Sequence, residues 1–249
     1  MFRKWLKKTV DIYEYSNIGG RKENEDTYAV IKKNNKEYCF VVADGLGGHG
    51  GGALASQTAA DVITKQFLSE NISDVKTISG VFEKANHAVY EKQSKECQMK
   101  TTLVMLLLKD KKATWAHIGD SRLYHFVDGK LVGQTFDHSV SQMAVIRGEI
   151  SSQEIREHVD RNKLLRALGR EENVRAEISE TIDMRGNQHS FLLCTDGFWE
   201  HIYEDEMEKA LVDAATAEEW IEKMLVYIDG RIKEGNDNNT AIAVIVDER

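Results

Sequence analysis

The stretch Tyr38-Cys39-Phe40-Val41-Val42-Ala43-Asp44-Gly45 decides the fold. Its first six residues are aromatic, β-branched or small and apolar, which suits a strand, and the run stops abruptly at an Asp-Gly step. Upstream, Thr27–Ile31 is a second β-rich run, joined to the first through Lys33-Asn34-Asn35-Lys36, a hairpin turn by composition. Val10–Ser16 alternates loosely ahead of them. Downstream the period changes. Ala55, Ala59, Val62, Ile63 and Phe67 recur at helical spacing, and Ile78, Phe82, Ala85 and Val89 repeat the pattern behind Asp74, a candidate cap. Two helices of about four to five turns are expected there.

Strands then return at Thr101–Leu108, Ala113–Ile118 and Arg122–Val127, the last turning at Asp128-Gly129 into Lys130–Thr135. Residues 139–168 read as helical in pieces, with Ser151-Ser152-Gln153-Glu154 as a capping box. Val174–Ile182 and Ser190–Thr195 are expected strands, Glu204–Val212 and Ala217–Lys233 helices, and Thr240–Asp247 a last, nearly all-apolar strand. Helices come in blocks between blocks of strands, which predicts an α+β fold with much antiparallel pairing.

The 249 residues carry 33 basic and 41 acidic side chains, a net charge of −8. That length suffices for a large core without disulfides, and no linker or composition break divides it, so residues 1–249 are read as one domain. The acidic balance argues against a nucleic-acid partner, which needs Lys and Arg against phosphate. Cys39, Cys97 and Cys194 form no CxxC pair, the usage of a reduced, cytoplasmic protein without a thiolate zinc site. Proline is absent, which excludes a PxxP motif. No long apolar run suggests a transmembrane segment. Met1–Lys8 is basic with Phe2, Trp5 and Leu6 between the charges, and reads as a solvated arm.

Carboxylates recur where strands end. Apolar runs stop at Asp44-Gly45, Gly119-Asp120 and Asp196-Gly197, while Glu25-Asp26 and Asp237 stand just ahead of strands. Antiparallel pairing lays the end of one strand beside the start of its neighbour, so these groups can gather on one rim. Asp-Gly is also an ordinary turn, and Asp128-Gly129 is assigned nothing more. Two carboxylates about 4 Å apart repel by about 4 kcal/mol at an effective dielectric of about 20. A cluster of five or more therefore requires raised pKa values or bound cations. Oxygen ligands without His or Cys favour Mg²⁺ or Mn²⁺ over zinc, and such a site can bind phosphate and activate water.

A rival reading attaches to Asp44–Gly52, where Gly45-x-Gly47-x-x-Gly50 matches the dinucleotide fingerprint between a strand and a helix, with Asp61 beyond. Against it, Asp44 puts negative charge beside the pyrophosphate position, and Asp61 falls inside the helical pattern. No Lys-Ser or Lys-Thr pair follows the glycines, which excludes a Walker loop.

Seven short motifs occur in order: Arg21-Lys22-Glu23-Asn24-Glu25-Asp26, Val42–His49, Thr101-Thr102-Leu103, His117–Arg122, Asp137-His138-Ser139, Leu193–Gly197 and Asp237–Thr240. Together they resemble the metal-dependent serine/threonine protein phosphatases of type 2C, the PPM family, in its short bacterial form, over residues 10–247. The resemblance implies a four-layer αββα sandwich, two antiparallel sheets flanked by helix pairs, with metals at one sheet edge. It implies two Mg or Mn ions and a third, weaker one. Asp44 bridges the two, Asp196 and Asp237 complete the first site, and Glu25 with the Gly45 carbonyl serves the second. Asp120 matches a ligand of the third, assisted by Glu200. Asp26 orients water, Arg21 binds the substrate phosphate, and residues 139–168 match the flap that influences substrate choice.

The implied reaction is hydrolysis of phosphoserine or phosphothreonine in protein substrates by a metal-bridged hydroxide, without a phosphoenzyme, opposing a serine/threonine kinase. Leu46 stands where some members carry a His for the leaving group, His49 lies three residues on, and Lys100 replaces a usual Gly. The alternative function is a phosphatase-like binding or sensor module without turnover, whose expected sign, a lost ligand aspartate, is missing here. Phosphatases dedicated to anti-sigma-factor antagonists usually lack the Arg of the Arg21 motif.

Overall fold

The computed structural model describes residues 10–47, 51–95 and 97–249. One sheet runs β1 (Val10–Asn17), β12 (Asn239–Asp247), β11 (Gln188–Cys194), β7 (Arg122–Val127) and β8 (Lys130–Gln134), in that spatial order. The other runs β10 (Ile182–Asp183), β6 (Lys112–Ile118), β5 (Leu103–Lys109), β3 (Glu37–Gly47) and β2 (Asp26–Asn34), with β4 (Met99–Thr101) on β3 and β9 (Glu177–Ile178) on β6. Every pairing is antiparallel.

Strand alternation builds three layers of core. In β3, Cys39, Val41 and Ala43 face α1 (Gly51–Ser69) and α2 (Val75–Glu91), while Tyr38, Phe40 and Val42 face the opposing sheet. In β12, Ala241 and Ala243 face α5 (Glu204–Val212) and α6 (Ala217–Asp229), and Ile242, Val244 and Val246 meet the other sheet. Strands covered on both faces read as unbroken apolar runs for this reason. The expected αββα order is observed, with the inter-sheet core between two helix-covered ones.

Local chemistry sets the turns. The Asp74 carboxylate accepts from Thr77 N at 2.8 Å, and Thr77 Oγ1 accepts from Asp74 N, closing a reciprocal cap on α2. Lys36 N donates to Asn34 Oδ1 at 2.8 Å in the first hairpin. Asp128 and Gly129 take φ of 47° and 82°, the conformation that a two-residue hairpin between right-twisted strands requires.

Four expectations need correction. Thr101–Leu108 is broken at Thr102, which leaves β4 and β5 as separate strands: Thr102 N keeps its bond to Asp44 O at 2.9 Å, but Asp44 N donates to Thr102 Oγ1 at 2.9 Å instead of to the Thr102 carbonyl. Val174–Ile182 pairs only as two-residue β9 and β10, since Val174 and Ala176 pack on the helix-side core instead. In 139–168 only α3 (Val140–Ile146) is α-helical; Gln153–Glu157 is a 3-10 turn and keeps half the expected box, Ser151 N donating to Glu154 Oε2 at 2.7 Å. Helix α6 stops at Asp229 rather than Lys233, where Gly230 follows, although Ile232 beyond it still packs on the same core. A one-turn helix, α4 (Asp196–Trp199), is additional.

Candidate metal centre

The site lies at one end of the sandwich. Asp26 opens β2 and sits directly opposite Asp44 of β3. Asp196 follows β11, Asp237 precedes β12, and Asp120 lies in the crossing from β6 to β7. Arg21, Glu25, Asp44, Gly45, Asp120, Asp196 and Asp237 line one cavity of about 270 Å³. Glu200 lines the adjoining cavity, which also includes Arg21, Asp196 and Asp237. The candidate residues read from the sequence are thus brought together, apart from His49, which lies outside the described residues, as does the Met1–Lys8 arm.

Hydrogen bonds hold the carboxylate-bearing backbone. Asp44 N donates to Thr102 Oγ1 at 2.9 Å, and Asp44 O accepts from Thr101 Oγ1 at 2.8 Å. Glu25 N donates to Asn238 Oδ1 at 2.8 Å, and Asn238 Nδ2 donates to Ile18 O and Glu23 O, so one amide ties the β12 start to the Arg21 turn. Thr195 Oγ1 donates to Asp26 Oδ2 at 2.9 Å. Arg21 Nη2 donates to Asp237 Oδ2 at 2.6 Å at the cavity mouth. A Cβ on Gly197 would lie 2.1 Å from Asn238 O, so only glycine lets α4 start against the Asp237 loop. The Glu25 carboxylate meets the first turn of α1 at Gly52, where the dinucleotide reading needs an anionic ligand instead.

The electrostatics are those of crowded, desolvated anions. Burial pushes Asp26 up to about 7 and Asp196 up to about 6, with neighbouring carboxylates adding to both. Burial, followed by Asp196, holds Asp44 and Asp120 well above the usual carboxylate range. Glu200 is pushed up to about 7 by burial and Asp196, against the Arg161 Nε contact at 3.0 Å. Asp26 Oδ1 and Asp196 Oδ1 are buried without a hydrogen-bond partner. A set of oxygen donors with orphaned atoms and no thiolate or imidazole suits a hard divalent cation.

Beneath the rim, Arg122 donates to both oxygens of Asp137 at 2.7 Å, with the guanidinium 3.4 Å from the Trp199 ring centroid. Trp199 Nε1 donates to Asp120 O at 3.0 Å. Trp199 is buried in the core, and sequence reasoning missed this bond along with the roles of Thr195, Asn238 and Arg161. Only the adjacency of Thr195 and Asn238 to the candidate aspartates Asp196 and Asp237 could have flagged them.

A second polar cluster is formed by His117 of β6, Glu177 of β9 and His138 of the segment between β8 and α3. His117 Nε2 donates to Phe136 O at 2.7 Å, and His138 Nδ1 accepts from Gly119 N at 3.2 Å. The proton of neutral His138 is therefore on Nε2, facing Glu177 at 3.6 Å, and the stacked rings lock the Asp137–Ser139 segment to β6.

The sequence profile of the family described as Protein phosphatase 2C matches residues 15–236. The chain is 31% identical over 235 residues to the serine/threonine phosphatase stp of Listeria innocua serovar 6a, covering 90% of each. The solved serine/threonine phosphatase Stp1 from Staphylococcus aureus superposes with a TM-score of 0.83 at 24% identity, over 96% of each chain. The catalytic domain of the phosphatase PstP, solved in complex with two manganese ions, gives 0.80 at 26% identity, over 96% of this chain and 99% of that one. A match across nearly all the described elements, on a rim of carboxylates that the fold assembles from five separate segments, places this chain in the protein phosphatase 2C family.

Proposed function

We propose that this protein is a metal-dependent phosphoserine/phosphothreonine protein phosphatase working from the carboxylate rim. The observation that carries the reading is the burial together of Asp26, Asp44, Asp120 and Asp196, beside Glu25 and Asp237, with two carboxylate oxygens unpartnered. Asp44, Asp196 and Asp237 would hold one Mg or Mn ion, and Asp44, Glu25 and the Gly45 carbonyl a second. Asp120, with Glu200 behind it, would serve a third. Bound cations there would neutralise the rim, polarise phosphoryl oxygens and acidify a water.

The remaining work falls to the chain itself. Arg21 is half exposed at the mouth and has N–H donors beyond the one that Asp237 takes, so it can grip a phosphate. Asp26, its Oδ2 held by Thr195 and its buried Oδ1 without a hydrogen-bond partner, can orient a water at Oδ1. Burial pushes up the thiols of Cys39 and Cys194, and neither lines the cavity, so a cysteinyl phosphoenzyme is not part of the reading. The match over 15–236 supports one catalytic unit, with 139–168 as its flap. Free cysteines support a cytoplasmic setting, opposite a serine/threonine kinase in signalling. No helix among the described residues is long and apolar enough to cross a membrane.

The test is hydrolysis of para-nitrophenyl phosphate and a phosphothreonine peptide with Mn²⁺ and with chelator. Turnover should require Mn²⁺, and Asp196→Asn should lower it about 100-fold. Turnover in chelator, or a full rate from Asp196→Asn, would overturn the assignment.

A further inference from the structure

A cavity of about 440 Å³ opens beside the carboxylate centre and includes Arg21, Asp196 and Asp237 in its wall. Most of its cations are already paired. Arg156 meets Glu204 and Arg161 meets Glu200, each at 3.0 Å, and Arg231 meets Glu206 at 2.6 Å. Lys233 lines the same cavity, is exposed, and makes no ion pair among the described residues.

Its position relative to Arg21 is set by backbone. Gly20 N donates to Asn236 O at 2.9 Å, and Asn236 N donates to Lys233 O at 3.2 Å. A Cβ on Gly20 would lie 2.5 Å from Gly235 Cα, so the Arg21 turn and the Lys233 loop are packed main chain on main chain. Two cations thus stand on one rigid ledge, one at the centre's mouth and one further out. The nearer keeps N–H donors beyond the one that Asp237 takes.

We propose that this ledge is a subsite for an anionic group beside the phosphorylated residue, with Arg21 on the scissile phosphate and Lys233 on the neighbouring anion. The inference rests on the phosphatase reading above and names its substrate class: phosphoproteins carrying a carboxylate or a second phosphate next to the target residue. Glu157 and Glu234 line the same cavity and oppose an anion there, so Lys233 supplies no more than one exposed pair. One exposed ion pair corresponds to about fivefold discrimination.

The test uses the full-length, Mn²⁺-loaded protein and three phosphothreonine peptides of equal length, flanked by alanines, by glutamates, or by a second phosphothreonine. The readout is the kcat/KM of each anionic peptide divided by that of the alanine peptide, taken within each variant so that differences in folding or loading cancel. Wild type should prefer anionic flanks about fivefold. The ratio should fall to about one in Lys233→Ala and below one in Lys233→Glu, with Lys233→Arg restoring it. Preference for both anionic peptides assigns any anion to the ledge, and preference for the doubly phosphorylated one alone assigns phosphate. Equal turnover of all three peptides by wild type, or a preference that survives Lys233→Glu, would overturn the proposal. Failure of wild type to hydrolyse even the alanine peptide with Mn²⁺ would overturn the phosphatase reading instead.

Discussion

Replacing Arg122 by methionine should destabilise the protein by about 3–5 kcal/mol, and removing Asp137 as well should restore most of the loss. The two side chains are each 2% exposed and joined by a two-point contact at 2.7 Å, with Nη1 of Arg122 also donating to Tyr124 Oη at 3.0 Å. Arg122→Met removes the guanidinium from the Trp199 face and strands the Asp137 carboxylate, a buried charge with nothing opposite it. Arg122→Met/Asp137→Leu strands no charge and leaves only Tyr124 Oη short of a donor, a cost of about 1–3 kcal/mol. Urea unfolding of wild type, both single variants and the double variant closes the cycle. For a chain of this size the single variant should also melt roughly 6–20 °C lower. Because Trp199 carries the bond to Asp120 O, loosening beneath it should weaken Mn²⁺ binding too. A single-variant loss below about 1 kcal/mol, or losses that add with coupling under about 0.5 kcal/mol, would refute the buried-pair account.

Other outcomes follow from the same contacts. At Asp26 the folded value of about 7 lies above the ordinary 3.8, so its contribution to stability is intact below 3.8 and is lost as pH rises through 7. In chelator at pH 8, Asp26→Asn should therefore be more stable than wild type by up to about 4 kcal/mol, the gap closing near pH 4; identical pH profiles would contradict this. His125 runs the other way. Burial and His189 lower it from 6.5 to about 4, so its contribution is intact above 6.5 and is lost as pH falls towards 4. The stability difference between wild type and His125→Phe should shift by about 3 kcal/mol across that window, in urea titrations at each pH. Gly197→Ala, whose Cβ would meet Asn238 backbone at 2.1 Å, should cost about 1–3 kcal/mol and reduce the Mn²⁺-induced thermal shift. An unchanged shift would mean that the Asp196 and Asp237 loops are not held together by that contact.

The rim was readable because it obeys a local rule. An apolar run ending in Asp44-Gly45, and another beginning after Asp26, become cross-strand neighbours as soon as the two runs pair antiparallel. What joins β12 between β1 and β11 is not local, and no spacing in the sequence announces it. The failures have equally particular causes. Val174, Ala176 and Ile178 do alternate, but they cover the α2 side of the core, and β6 offers them an edge of only two pairs at β9. Thr102 looks like any strand residue, but its hydroxyl, paired with Ser121 Oγ through the fold, takes the Asp44 N–H that the ladder carbonyl would otherwise accept. A helix of four residues such as α4 is shorter than the period that would reveal it. Asn238 acts through a side-chain amide spanning three segments, which composition cannot express.

Antiparallel topology also explains why cations and stability should be coupled. The far end of the sandwich is closed by tight turns at Asn34–Lys36, Asp110-Lys111 and Asp128-Gly129, several with positive φ, and it carries the hairpin chemistry. The near end is where the chain leaves for α1 after β3, for α4 after β11 and across the sheets at Gly119-Asp120, so its acidic side chains are free to face one cavity. Collecting them there raises their pKa values, and that free energy is a debt carried by the rest of the core until a cation binds. Aspartate-to-asparagine changes at 44, 120 or 196 should therefore raise the melting temperature of the chelated protein at pH 8 while shrinking the increment that Mn²⁺ adds. A rim that merely held the fold together would lose on the first count, because its hydrogen-bonding charge would be missed with or without the ion.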